Sequence, residues 1–293
     1  MNTAAPRLML FGYGSALEAA LASVLCAEFS VCGIVVSTHR RDLSLRSMRV
    51  KSGGLNIPLH TDLGLAQVQS LLEREKPRLC LMASYNNILP PAVLEKFDVV
   101  NIHYAPLPYY RGWHPVNWGL ARGESEFAYS IHQAVAQVDA GPILQQGFYR
   151  AGENDTAEEV IVALSNGLET NCGVVLRRYL RGEITPQPQR GAGSKFPKRT
   201  PADGRVDFKK SAREIHNLVR AVAPPYPGAR AECDAGEALL LRTLLSHEHT
   251  EPTVAPGALR HCAGRWFVAA ADAWLELREW QCPIPLADGM RWH

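Results

Sequence analysis

Three polar residues near the middle of the chain have the types that acyl transfer to an amine requires: Asn101, His103 and Asp139. Asn101 and His103 stand two apart in DVVNIH (98–103), a run that reads as a strand. Residues two apart on a strand face the same way, so a carboxamide and an imidazole point into one crevice. Asp139 follows FAYSIHQAV (127–135), also strand-like, in the loop QVDAGP, where Gly141 and Pro142 shape a tight turn. A carboxamide donor can stabilise a developing oxyanion, an imidazole can take the proton an attacking amine must lose, and a carboxylate can orient that imidazole. The pattern alone also allows, and by itself favours, a strand-end cap, a satisfied half-buried histidine and a turn residue.

The elements that must position these groups follow from the apolar periodicity. RLMLFG (7–12), VCGIVV (31–36), PRLCLMAS (77–84) and DVVNIH are continuous apolar runs, and they alternate with helical patterns at SALEAALASVLCAEF (15–29) and LAQVQSLLEREK (65–76). Such alternation predicts an α/β protein with a parallel sheet covered on both faces, and ligands bind at the carboxyl edge of such sheets. Ser15 is placed to cap the first helix. Further on, GPILQQGFYR (141–150) reads as a strand and residues 155–180 as a long helix capped by Asp155 or Thr156. The stretch 186–204 is dense in Pro, Gly and basic residues, which is linker chemistry. We place a catalytic domain at 1–188, a linker at 189–204 and a second domain at 205–293. The latter opens with an amphipathic helix (211–223) and continues in short, turn-separated strands of a small β-barrel or sandwich.

The sequence NIHYAPLPYYRGWHPVNWGLARGE (101–124) together with SIHQAVAQVDAGPIL (130–144) resembles the folate-dependent formyltransferases, a family of methionyl-tRNA, sugar-amine and glycinamide ribonucleotide enzymes. The motifs are Asn101-x-His103, Leu107-Pro108-x-x-Arg111-Gly112 and Asp139-x-Gly141-Pro142, in the family's order. FPKRTPADGRVDF (196–208) and IHNLVRAVAPPYPGA (215–229) resemble its linker and the start of its second domain. The resemblance implies a Rossmann-like, mostly parallel sheet with a smaller C-terminal OB-like β domain, and 10-formyltetrahydrofolate as formyl donor. It makes His103 the general base and oxyanion partner, Asn101 the oxyanion donor and Asp139 the group orienting His103. It also implies folate contacts from Ser84, Tyr85, Asn86, Asn87, Ile88, Leu89, Val138 and Gly141, with Tyr104, Arg111, Trp113 and His114 on the acceptor side. Two positions depart from the family's pattern: Ala105 stands where many members have serine, and His114-Pro115 where many have Ala-Pro.

PKRTPADG and VRAVAPPYPGA resemble sugar-amine formyltransferases more than tRNA-modifying ones, and that resemblance implies a small-molecule amine as acceptor, foremost an amino sugar linked to a nucleoside diphosphate. Initiator Met-tRNA comes second, and a hydrolase releasing formate from the same folate third. The formal net charge of +2 over 293 residues does not force binding to nucleic acid or anionic membrane. The locally basic 38–51, with Arg220, Lys195, Lys198 and Arg199, reads either as phosphate contacts or as solvated surface. FGYGS (11–15) hints at dinucleotide binding but lacks the third glycine of that fingerprint and an acidic residue at the ribose position. Seven cysteines without metal spacing are expected to be reduced core thiols, and no metal is expected. Reduced thiols fit a cytosolic compartment, and no run approaches the ~20 apolar residues of a membrane span, so a cytoplasmic, membrane-free protein is expected.

Overall fold

The computed structural model describes residues 4–36, 43–251 and 253–293, so residues 38–42 of the basic segment lie outside the described residues. The chain divides into two compact units. One holds the chain up to Gly112 with Ala128–Tyr149 and Ile161–Lys195, the other Trp113–Phe127, Arg150–Val160 and Phe196–His293.

In the first unit β1 (Arg7–Gly12), β2 (Ser30–Val36), β3 (Leu59–Thr61), β4 (Leu79–Ala83) and β5 (Val99–His103) pair in parallel in the order β3-β2-β1-β4-β5. After the two-residue β6 (Arg111–Gly112), β7 (Glu126–Gln133) joins antiparallel to β5, and β8 (Ile143–Arg150) forms the last strand of the sheet. The Rossmann-like, mostly parallel sheet expected from sequence is therefore present. Leu8–Phe11 and Leu79–Leu81 are fully inaccessible, which explains their unbroken apolar character: each strand is covered on both faces.

Helices α1 (Gly14–Cys26), α2 (Leu43–Gly54), α3 (Leu65–Glu75) and α4 (Pro91–Lys96) connect the parallel strands, followed by α5 (Pro115–Ala121) and α6 (Ala157–Leu180). Helix α1 is capped by Tyr13 rather than by Ser15, which lies in its first turn. The reason is the close approach of β4: a Cβ on Gly12 would lie 1.7 Å from the Ala83 carbonyl oxygen, and the Tyr13 N–H bonds that same oxygen at 3.3 Å. This steric demand is what the glycine in FGYGS meets. Helix α6 starts as expected at Thr156, whose N–H and hydroxyl both donate to the Glu159 carboxylate at 2.7 Å.

In the second unit, after the short β9 (Lys195–Phe196), helix α7 (Ala212–Val222) begins at a reciprocal Ser211–Glu214 cap and packs on β11. The antiparallel sheet comprises β10 (Ala229–Cys233), β11 (Gly236–His249), β12 (Leu259–Cys262), β13 (Arg265–Ala269) and β14 (Ala273–Gln281), ordered β10-β11-β14-β13-β12. This is the small C-terminal β domain. Arg220 departs from the solvated-surface reading: it is buried on α7, with Nε donating to Asn217 at 2.9 Å and Nη1 to the Asp155 carbonyl at 3.2 Å. The cysteines are free, and Cys80, Cys172 and Cys233 are buried, but Cys26 and Cys262 are exposed rather than core thiols. Among the described residues no helix is long and apolar enough to cross a membrane.

Candidate active site

Asn101 and His103 lie at the end of β5, where the parallel part of the sheet stops and the strand meets antiparallel β7. Asp139 comes from the β7–β8 connection and reaches both. Asn101 Nδ2 donates to Asp139 Oδ1 at 3.3 Å, and Asp139 Oδ2 stands 3.7 Å from His103 Nδ1. The three side chains expected to converge therefore do so. The Gly112 N–H fixes the carboxylate further, donating to Oδ2 at 2.8 Å.

The imidazole of His103 is almost closed off from solvent, with Nε2 2.8 Å from the Tyr110 carbonyl oxygen. A carbonyl only accepts, so Nε2 carries the proton and Nδ1 the lone pair. Burial pushes the His103 pKa below the usual histidine value, outweighing the opposing pull of Asp139 and the Tyr110 carbonyl. Burial alone would raise the Asp139 pKa, but the attraction of His103 in its protonated form and the Gly112 N–H hold it down to about 2. The cluster thus presents a neutral base beside a fixed anion.

His132 on β7 was not anticipated from the sequence. Its Nδ1 lies 2.8 Å from the Gln133 carbonyl oxygen, which leaves Nε2 as the acceptor for Asn101 Nδ2 at 3.0 Å. The carboxamide of Asn101 is thereby oriented from two sides. Ser130, also on β7, takes over the loop after His103. Its hydroxyl donates to the Ala105 carbonyl at 2.6 Å and accepts from the Leu107 N–H at 3.3 Å, so the alanine at 105 leaves that loop tied.

A pocket of about 100 Å³ adjoins the cluster and is lined by Asn101, His132 and Asp139 together with Tyr85, Asn87, Ile88, Leu89 and Val138. These last five are among the residues expected to contact folate; Ser84, Asn86 and Gly141 do not line the pocket. Met82, Leu94, Ala134 and Val135 complete its walls and were not anticipated. Ile88 is 67% exposed and forms a lip, while Leu89 is buried. Apolar walls with amide and imidazole groups at one end suit a flat heterocycle edged by donors and acceptors. A volume of this size suits a ring-sized group rather than an extended molecule. Gly141 serves the backbone instead, because a Cβ there would lie 1.8 Å from the Gln133 carbonyl oxygen and only glycine lets the Asp139 turn close on β7.

The residues expected on the acceptor side are placed variously. Tyr104 bonds Ser165 through its hydroxyl at 2.7 Å, and Arg111 directs Nε and Nη2 to Gln189 Oε1 at 3.1 and 2.6 Å. Trp113, 40% exposed, belongs to the second unit and carries the Lys198 ammonium 5.5 Å from its ring centre. His114 is the N-cap residue of α5, with Nδ1 accepting the Arg199 N–H at 3.2 Å. Among the described residues there is no cluster of three or more His, Cys, Asp or Glu that would hold a metal ion.

Fold and site together define a two-domain protein with a Rossmann-like sheet, an ionisable cluster at its carboxyl edge and a small antiparallel β domain. Residues 15–167 match the family model described as Formyl transferase, and residues 198–284 match Formyl transferase, C-terminal domain. The chain belongs to the formyl transferase family. It is 30% identical over 247 residues to Methionyl-tRNA formyltransferase of Chlorobium chlorochromatii (strain CaD3), covering 81% of this chain and 78% of that protein. Among solved structures, the N-formyltransferase from Helicobacter canadensis, in complex with folinic acid and dTDP-3-aminofucose, matches with a TM-score of 0.71 at 17% identity, covering 94% of this chain and 100% of its own. HypX from Aquifex aeolicus in complex with tetrahydrofolic acid matches with a TM-score of 0.65 at 19% identity, covering 92% of this chain. The chain spans 43% of that HypX chain's length. At these identities the structural matches speak for the fold.

Proposed function

We propose that the protein moves a formyl group from 10-formyltetrahydrofolate to the primary amine of an amino sugar linked to a nucleoside diphosphate, with Asn101, His103 and Asp139 as its catalytic groups. The observation that carries this reading is the convergence of those three side chains beside a ring-sized pocket at the sheet edge. The bound folate would supply an electrophilic formyl carbon on nitrogen. His103 takes the proton of the attacking amine at Nδ1, and the imidazolium so formed lies between the Asp139 carboxylate and the Tyr110 carbonyl, both acceptors. Asn101 exchanges its longer bond, the 3.3 Å contact to Asp139, for the formyl oxygen as negative charge develops there. His103 then gives the proton back from Nδ1 to the folate nitrogen as that nitrogen's bond to the formyl carbon breaks, so tetrahydrofolate leaves and the imidazole returns to its neutral form. The apolar wall at Leu89, Val135 and Val138 excludes water that would otherwise compete with the amine.

The domain plan proposed with this activity keeps 1–188 as the catalytic domain, 189–204 as the linker and 205–293 as the second domain. For the acceptor, the strings PKRTPADG and VRAVAPPYPGA favour the sugar. The full-length match to the Helicobacter canadensis enzyme, solved with dTDP-3-aminofucose, supports the same choice. The relative at 30% identity is a tRNA enzyme, which makes initiator Met-tRNA the second reading. One assay separates them: purified protein with 10-formyltetrahydrofolate is offered dTDP- and UDP-linked amino sugars and Met-tRNA, and acceptor mass is followed. A gain of one formyl group on a sugar nucleotide is expected. Formylation of Met-tRNA alone refutes the sugar assignment, and formate release without any formylated amine favours a hydrolase.

A further inference from the structure

Two of the groups that build the catalytic cluster sit on backbone that non-glycine residues avoid. Tyr110, whose carbonyl fixes the His103 ring, has φ 58°, and Asp139 has φ 54°. Such left-handed conformations persist only where neighbouring structure over-determines them. At both positions that neighbouring structure is the same stretch of chain, residues 187–194.

Gln187 and Ile143 exchange backbone hydrogen bonds at 2.8 Å in each direction, anchoring the stretch beside β8. Two residues on, Gln189 Nε2 donates to the carbonyl oxygens of Asp139 at 2.7 Å and Gly141 at 2.8 Å. Its Oε1 accepts the two bonds from Arg111. A primary carboxamide has two donor hydrogens and two acceptor lone pairs, and here all are used. Ser194 then holds the other loop, with Oγ accepting the Tyr110 N–H at 2.9 Å and its carbonyl accepting the Arg111 N–H at 2.9 Å.

We propose that Gln189 is a positioning residue for catalysis: by spanning the Asp139 turn and the Arg111 side chain, it sets the spacing at which Asp139 faces His103. The inference rests on the reading of Asp139 and His103 as catalytic. It also gives Arg111 a bracing role in place of acceptor contact. No other neutral side chain of this length can do the same work. A glutamate would keep the Arg111 bonds but oppose a carboxylate to two carbonyl oxygens, and a methionine would lose all four bonds while filling the space.

The test compares wild type with Gln189→Glu and Gln189→Met, alongside Asp139→Asn as a control. Turnover is measured with 10-formyltetrahydrofolate and whichever of the amino sugars or Met-tRNA the wild type formylates. The His103 imidazole is titrated by NMR, a readout that does not need an acceptor. Misplacing a catalytic group by about 1 Å can cost ~100-fold, so kcat is expected to fall ~10- to 100-fold in both variants. The KM for the folate is expected to stay within about threefold and the thermal midpoint above the assay temperature, while the His103 titration moves. Wild-type kcat with an unmoved His103 titration in a folded Gln189→Glu or Gln189→Met variant overturns the proposal. So does a kcat loss that merely follows the loss of folded protein. Should Asp139→Asn turn over normally, the catalytic reading itself fails, an outcome distinct from a normal Gln189 variant beside an inactive Asp139→Asn.

Discussion

Asp139 Oδ2 lies 3.7 Å from His103 Nδ1, too far for a hydrogen bond, while the Gly112 N–H holds the same oxygen at 2.8 Å. The pair is therefore arranged for the charged imidazole rather than the neutral one: a proton arriving at Nδ1 meets an anion already fixed in place. Burial keeps the neutral form favoured until then. Two consequences follow for pH. Since the pKa of His103 is lowered from 6.5, the acid limb of kcat/KM is expected below pH 6.5. Folding stability is also expected to decline as pH falls below that value, because the unfolded chain then binds the proton more readily. A pH–rate profile whose acid limb lies above 6.5 would contradict the first, and His103→Ala should lower kcat by about 100-fold or more without unfolding the protein.

Asp139→Asn replaces one acceptor oxygen by a donor. Both oxygens already accept, Oδ1 from Asn101 and Oδ2 from the Gly112 N–H, so the amide must set its NH₂ group against one of two N–H donors. A kcat loss of about 100- to 1,000-fold with little change in thermal midpoint is expected. Wild-type turnover in this variant would remove Asp139 from the mechanism.

Much of the frame was legible because local chemistry and global structure agree. The apolar runs at 7–12 and 79–83 have to be buried strands, since each is covered on both faces, and Thr156 and Ser211 start their helices with a glutamate three residues on. Asn101 and His103 were legible as a pair because a strand of period two puts them side by side. His132, Gln189 and Ser194 were not. They reach their partners across separations of 31, 50 and 84 residues, which no local pattern encodes. Ser15 misled because the helix start is set by the approach of Ala83 from another strand.

His132 gives a way to test the orientation of Asn101. Replacing it by leucine removes the acceptor for Asn101 Nδ2 and frees the carboxamide to turn, while glutamine can restore an acceptor oxygen near the position of Nε2. His132→Leu is expected to lower kcat about tenfold and to cost about 1–3 kcal/mol of stability through the unsatisfied bonds. His132→Gln should recover most of the kcat. Equal turnover in the two variants would show that the Asn101 orientation does not depend on this residue.

The thiols should separate by burial under native labelling with a disulfide reagent. Cys172 is buried, which pushes its pKa up to about 12, and burial raises that of Cys80 as well, whereas Cys26 and Cys262 are exposed. Since the thiolate is the reactive species, Cys26 and Cys262 should react first, and Cys80 and Cys172 only on unfolding. Mass spectrometry of the labelled peptides reads this directly, and early labelling of Cys172 would contradict the packing of α6 against the sheet.

Gly141→Ala tests whether the turn that carries Asp139 tolerates any relaxation. The added methyl would lie 1.8 Å from the Gln133 carbonyl oxygen, and backbone cannot swing aside as the end of a flexible side chain does. Gln133 is also tied to the turn itself, its N–H bonding the Pro142 carbonyl at 2.9 Å, so the methyl has to break this closure or displace β7. Overpacking of this kind costs about 3 kcal/mol, and the turn that moves carries Asp139. The variant is therefore expected to lose both stability and turnover, with kcat falling further than the folded fraction does, because the carboxylate leaves its place beside His103 even in molecules that fold. Denaturant titration beside kcat measured on the folded population separates the two effects. A variant destabilised by this amount but with wild-type kcat per folded molecule would mean that the turn need not hold Asp139 where it stands.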